Sequence, residues 1–136
     1  KVERAYAVEY VRSLLPTMTE LFGAAEMKAL VGRTARLIGL QFHDDVMDLL
    51  GVVQRTPDSF ALLLARLLAA QGEMVELDGL VLRQEGWHAL HGIAVPEEAF
   101  EAWNEVVLGM AAAHDRFMTV TTRRDGNAIE WRFAAA

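Results

Sequence analysis

The sequence predicts an α+β fold in which helices pack on one face of an antiparallel sheet of about four strands. Apolar residues recur at helical spacing up to residue 71, and the spacing then changes to every second residue in two later segments. Each of those segments contains an Asp-Gly pair, which is typical of a hairpin turn. At 136 residues the chain has the length of a single domain, and we assign residues 1–136 to it.

The N-terminal region is predicted to be helical throughout. Residues 2–15 form a short helix that ends before Pro16, because a residue that precedes proline is disfavoured in the α conformation. Thr17 and Glu20 have the spacing of a capping box, which restarts a helix that reaches Gly23.

A long helix and a shorter one follow. Residues 25–50 are apolar at helical period, and Gly51 occupies the position where a left-handed glycine ends a helix. Thr56 and Pro57 suit the N-cap and first position of the next helix, which runs to Gln71.

Two hairpins complete the fold, with a helix between them that begins near Glu97. The first hairpin turns at Asp78-Gly79 and the second at Asp125-Gly126. The expected cross-strand pairs are Leu77 with Leu80 and Val75 with Leu82 in the first hairpin, and Thr122 with Ile129, Val120 with Trp131 and Met118 with Phe133 in the second.

Composition excludes several classes of function. A net charge of −6, without a basic stripe, argues against a nucleic-acid partner. The absence of cysteine excludes disulfides and thiol nucleophiles. The most apolar stretch, residues 60–70, contains Arg66 and is shorter than the ~20 residues of a membrane span, so no membrane partner is expected. The start of the chain lacks an apolar leader, and we expect a cytoplasmic protein of bacterial type.

Short motifs in the C-terminal half carry a family resemblance. The segments RQEGW, FEAWN and DGNAIEWRF include Trp87, Trp103, Asn104, Trp131 and Phe133. With the order of elements, they resemble the L-2-amino-thiazoline-4-carboxylic acid hydrolase-like family, which is similar in layout to the 4-vinyl reductase type of small-molecule-binding domain. The resemblance implies a small-molecule pocket and a possible hydrolase acting on C–N bonds. Family members often carry cysteines beside the tryptophan of the final hairpin, whereas this chain has none.

Asp45 is the first candidate for a functional role. At 100° per residue it falls about 20° from the centre of an apolar stripe on the long helix, whereas His43 points about 140° away, towards solvent. A buried carboxylate needs a partner, so Asp45 is either a general base in a pocket wall or part of a structural network. The polar residues expected beside it, facing the sheet, are Thr34, Gln41 and Asp48.

Three histidines raise the question of acid–base catalysis or a metal. His88 and His91 are the acid partners that we assign to Asp45. With His114 and a carboxylate they could hold zinc or iron. However, no acid lies between His91 and Glu97 to support the metal ligands, and His114 suits the end of a helix. We therefore expect no metal and no cofactor.

The remaining candidates are aromatic and polar side chains that could line a pocket. Trp87, Trp103 and Asn104 are assigned to ligand binding together with His114. Ser59 lies at a helix start, so a serine nucleophile is not expected. The sequence thus favours a small-molecule-binding domain that acts on, or binds, a heterocyclic or amide-like compound. The alternative is a non-catalytic dimeric scaffold or partner-binding module.

A homodimer is expected from the helix that contains residues 60–70. Its large apolar side chains form one stripe, and small apolar residues occupy the rest of its surface. A helix that is apolar nearly all round must be covered on more than one side. A second copy related by two-fold symmetry would provide that cover.

Overall fold

The computed structural model describes residues 20–86, 97–126 and 128–136, together with Thr17. The helix predicted over residues 2–15 lies outside the described residues, as do the side chains of residues 24, 27, 28, 31 and 97–103. The elements are α1 (Ala24–Leu50), α2 (Pro57–Ala70), β1 (Val75–Asp78), β2 (Val81–Gln84), α3 (Glu97–His114), β3 (Met118–Asp125) and β4 (Ala128–Ala135). The α+β prediction is confirmed.

Two of the predicted signals at helix ends, Gly51 and the Thr56-Pro57 pair, are also confirmed. Gly51 ends α1 in the left-handed conformation, with φ 71°. Thr56 caps α2: its hydroxyl accepts a hydrogen bond from the backbone N–H of Ser59, and Pro57 follows at the first helical position.

The four strands form one antiparallel sheet in the order β1-β2-β4-β3. The two hairpins therefore join through β2 and β4, which are the two inner strands of the sheet. Alternate residues face the helices, and the row that crosses all four strands at the centre of this face consists of Leu77, Leu82, Trp131 and Thr122.

Both hairpin registers differ from the prediction by two residues. Leu77 pairs with Leu82 rather than Leu80, and Thr122 pairs with Trp131 rather than Ile129. In the first hairpin, Gly79 is the first turn residue and has φ 61°. A glycine at this position, followed by a residue with negative φ, matches a type II′ turn, whereas the predicted type I′ turn needs positive φ at Asp78.

The shift extends through each hairpin without changing which residues face the core. The other predicted cross-strand pairs are also wrong by two residues. The observed pairs are Val75 with Gln84, Val120 with Phe133, Met118 with Ala135 and Arg124 with Ile129. Because side chains alternate with a period of two, a shift by two residues keeps each one on its predicted face.

Helix α2 packs on the sheet and forms the centre of the core. Phe60, Leu63 and Leu64 are at most 1% exposed, and they belong to one cluster with Leu82 and Trp131. The stripe on which the sequence argument for a dimer was based is thus covered largely within the chain. That argument was wrong about this helix, because the sheet and the other helices supply the additional cover.

Helix α1 packs chiefly along α3, and the two helices run parallel. Gly39 and Gly109 allow this close approach, since a Cβ at Gly109 would overlap the carbonyl oxygen of Arg36. A Cβ at Gly39 would likewise overlap the carbonyl oxygen of Val106. Arg36 and Glu105 form an ion pair of 2.6 Å beside this contact. The contact determines which side of α1 is buried.

No helix in the described part of the chain is both long and apolar enough to span a membrane.

Candidate functional site

The polar strip predicted on α1 does not face the interior. Thr34, Gln41, Asp45 and Asp48 are all exposed. The buried side of α1 instead carries Gly32, Ala35, Gly39, His43 and Met47. The prediction that Asp45 is buried was therefore wrong, because small residues rather than large apolar ones make the contact with α3.

A chain of hydrogen bonds through two buried histidines lies at the C-terminal ends of α1 and α3. His43 is 0% exposed and His114 is 2% exposed. His43 Nε2 lies 2.8 Å from His114 Nδ1, and His114 Nε2 lies 2.8 Å from Ser59 Oγ. At the other end, His43 Nδ1 lies 2.9 Å from a carboxylate oxygen of Asp44. We refer to Asp44, His43, His114 and Ser59 as the polar chain.

Asp44 defines the direction of the hydrogen bonds when both histidines are neutral. A carboxylate can only accept, so His43 donates from Nδ1 and accepts at Nε2. His114 must then donate from Nδ1, which leaves its Nε2 free to accept the hydroxyl proton of Ser59. This assignment gives each link of the polar chain one donor and one acceptor.

The surroundings keep His114 and Asp44, two members of the polar chain, in different charge states. Burial, followed by the proximity of His43, lowers the pKa of His114 to about 4, so this imidazole is neutral at pH 7. Asp44 is exposed, and hydrogen bonds from His43 and Arg55 lower the pKa of its carboxyl below the ordinary value, so it is ionised at pH 7. Arg55 also donates to the carbonyl oxygen of Ala113, which attaches the loop before α2 to the end of α3.

Ser59 has a second set of partners at the start of α2. Its hydroxyl oxygen accepts a hydrogen bond from the backbone N–H of Thr56 at 2.9 Å, and lies 2.7 Å from the carbonyl oxygen of Gln54. It also lies 3.0 Å from the carbonyl oxygen of Thr56, so the hydroxyl proton can point to Gln54, Thr56 or His114. Ser59 is half-buried, which leaves part of it accessible from outside.

The polar chain was largely missed by sequence reasoning. His43 was expected in solvent but is fully buried, and Ser59 was discounted as a helix-start residue. The capping signal at Thr56 and Pro57 did place Ser59 at the start of a helix. No local pattern indicates that His114 lies beside it, since the two are 55 residues apart.

Asn104, which the sequence analysis assigned to ligand binding, is hydrogen-bonded to the sheet. Its side-chain oxygen accepts from Trp131 Nε1 at 3.1 Å, and its nitrogen donates to the Thr122 hydroxyl at 3.1 Å. These contacts hold the middle of α3 to β3 and β4. Trp131 is 4% exposed, so Asn104 supplies a buried indole with its hydrogen-bond acceptor.

We expect Asn104→Ala to destabilise the protein by about 1–3 kcal/mol, because the buried Trp131 N–H would lose its acceptor. Thr122→Val is the matched control, since it removes only the second hydrogen bond and leaves the indole paired. Urea denaturation of both variants measures the difference. Equal losses in the two variants would contradict the assigned role of Asn104.

Several predicted site residues lie outside the described residues. These are Trp87, His88 and His91, as well as the side chain of Trp103. Within the described ranges, no three histidine or acidic side chains come together in a way that could hold a metal ion. The roles assigned to these residues stay predictions.

The side of α1 that faces away from α3 carries large exposed apolar side chains, with the exposed polar residues Thr34, Gln41, Asp45 and Asp48 among them. It carries Leu30, Leu37, Ile38, Phe42 and Leu49, which are between 43% and 82% exposed. Three of them, Ile38, Phe42 and Leu49, belong to the stripe that the sequence predicted as buried. We call these five residues the α1 outer face.

Neither a protein-family model, nor a curated protein, nor a solved structure matches the chain.

Proposed function

We propose that the chain is a small-molecule-binding domain with hydrolase-like chemistry, in which the polar chain activates the hydroxyl of Ser59. The ligand class is that implied by the family resemblance, a small heterocyclic or amide-like compound. The observation that carries the proposal is the 2.8 Å contact between His114 Nε2 and Ser59 Oγ, made by a histidine that is itself bonded to a second histidine.

A proton can move along the polar chain without displacing any heavy atom. When Ser59 Oγ attacks an acyl carbon, His114 Nε2 accepts the hydroxyl proton. A base with a pKa of about 4 holds that proton weakly. His114 can release its Nδ1 proton to His43 Nε2, which places the positive charge next to the Asp44 carboxylate.

The reaction is completed in two steps, departure of the leaving group and hydrolysis of the acyl-serine ester. The bond between the acyl carbon and the leaving group breaks, and the leaving group takes the proton that came from Ser59. Water then attacks the acyl-serine ester and gives up a proton through His114, which releases the acid and restores the Ser59 hydroxyl. These steps require no redox partner.

The test is hydrolysis of p-nitrophenyl acetate and of a p-nitroanilide, with mass spectrometry of the peptide that contains Ser59. We expect Ser59→Ala to reduce the rate above background by at least ~100-fold, because the nucleophile is absent. Acetyl-Ser59 should accumulate in the wild-type protein.

Thr56→Ala is the matched control, because it removes a capping hydrogen bond of α2 but keeps the contact between Ser59 and His114. It should retain activity within about threefold of wild type. Equal rates for Ser59→Ala and wild type, or the absence of acetyl-Ser59, would overturn the proposal.

A second candidate function is a non-catalytic homodimeric scaffold. The observation that favours it is the α1 outer face, because an apolar surface of this extent on one helix is typical of an interaction site.

A further inference from the structure

We propose that the α1 outer face binds a second copy of this chain, with the two α1 helices packed antiparallel about a two-fold axis that passes near residues 38 and 39. This inference deepens the scaffold candidate by giving the partner and its orientation. It does not depend on the chemistry of Ser59.

The apolar part of this surface suits helix pairing. At 100° per residue, the five side chains of the α1 outer face fall within an arc of about 140° on a helix about 40 Å long. Asp45 and Asp48 fall within the same arc, and Arg33 lies about 40° beyond its edge. Their exposed surface amounts to roughly 500 Å², which is at the upper end for a monomer. An isologous dimer would bury this surface on both copies, and the total buried area would approach the usual size of a stable interface.

The charges on α1 select a second copy in antiparallel orientation. The N-terminal half carries the exposed Arg33 and, two turns before it, the exposed acid Glu26, and the C-terminal half carries the exposed Asp45 and Asp48. Arg33, Asp45 and Asp48 form no ion pair within the described part of the chain. A two-fold axis near residue 39 brings Arg33 of each copy to the level of Asp45 of the other, with Asp48 one turn away on the same flank of the helix as Arg33. A parallel pair would instead place like charges together.

The helix dipole gives the same preference. Asp48 lies in the last turn of α1, where the partial negative charge of the helix end disfavours an acid, and this turn contains no basic residue. An antiparallel partner brings Arg33 towards this end and offsets the unfavourable placement.

The experiment is sedimentation or light scattering of the full chain over a range of concentrations. We expect a species of twice the 15.1 kDa chain mass at micromolar concentration, with a dissociation constant that rises with salt. Arg33→Glu should raise this constant by at least ~10-fold, because it brings like charges together in both halves of the interface.

The charge-swapped variant Arg33→Glu/Asp45→Arg should recover affinity to within about threefold of wild type. All the substituted side chains are exposed, so circular dichroism should show an unchanged fold in every variant. A monomer at 100 µM, as would result if another segment of the same chain covered this face, overturns the inference. A dimer that is indifferent to Arg33→Glu also overturns it. Neither result changes the expected effect of Ser59→Ala on hydrolysis.

Discussion

Gly109→Val should destabilise the protein by about 3 kcal/mol or more, and even Gly109→Ala should be destabilising. The Cβ of either residue would overlap the carbonyl oxygen of Arg36, which belongs to the backbone of α1. Backbone atoms cannot rotate away as a side chain can, so the two helices would have to separate. The parallel contact between α1 and α3, with the polar chain at its end, would loosen with them.

The alanine variant is the sharper measurement, because alanine normally stabilises a helix interior by about 1 kcal/mol relative to glycine. Thr34→Ala is the control, since Thr34 lies on the exposed side of α1, away from the contact with α3, and should change stability by a few tenths of a kcal/mol. Urea denaturation gives the free energy of unfolding for each variant. If Gly109→Ala were as stable as wild type, α1 and α3 could not be this close.

The order of elements was predictable because it depends on local signals. Thr56 and Pro57 mark the start of α2, Gly51 marks the end of α1, and alternation marks the strands. The faces of the strands were also predictable. The cross-strand pairing was not predictable, because an Asp-Gly pair fits two arrangements equally well. Both residues can lie in the turn, or the turn can begin at the glycine. The structure uses the second arrangement at Gly79.

The buried side of α1 could not be predicted from hydrophobicity. This helix has large apolar residues such as Ile38 and Phe42 on one side, and small residues such as Gly39 on another. The interior contact uses the small residues, because they let two backbones approach, and glycine contributes little to an apolar pattern. The error placed Asp45 inside and His43 outside, the reverse of what the structure shows.

The hydrogen bond between His43 and His114 joins residues 71 positions apart. Nothing in the sequence near either residue indicates this pairing, which follows only from the parallel packing of α1 on α3. The sequence did indicate that His114 lies at a helix end, and it suggested a site built from a histidine and a carboxylate. It assigned Asp45 as that carboxylate, with His88 or His91 as its acid partner, whereas the carboxylate bonded to His43 in the structure is Asp44.

Stability should fall as the pH is lowered from about 6.5 to about 4, and His114 should account for about 3 kcal/mol of this loss. Burial, and next the proximity of His43, lowers the pKa of His114 to about 4 in the folded state. In the unfolded chain the pKa is near 6.5, so the unfolded state binds the proton first as the pH falls. The contribution is therefore fully present above pH 6.5, and is lost progressively down to pH 4.

His114→Gln is the variant that isolates this contribution, because an amide can hydrogen bond in the same place but does not titrate. Urea denaturation of both proteins between pH 4 and pH 7.5 gives the free energy of unfolding at each pH. This free energy should fall more steeply with decreasing pH for wild type than for the variant. Carboxylates with lowered pKa, such as Asp44 and Glu130, also lose their contribution on acidification. They are present in both proteins and largely cancel in the difference. Parallel curves across this range would show that His114 is not held neutral by its surroundings, and the direction of hydrogen bonding that we assign to the polar chain would have to be abandoned.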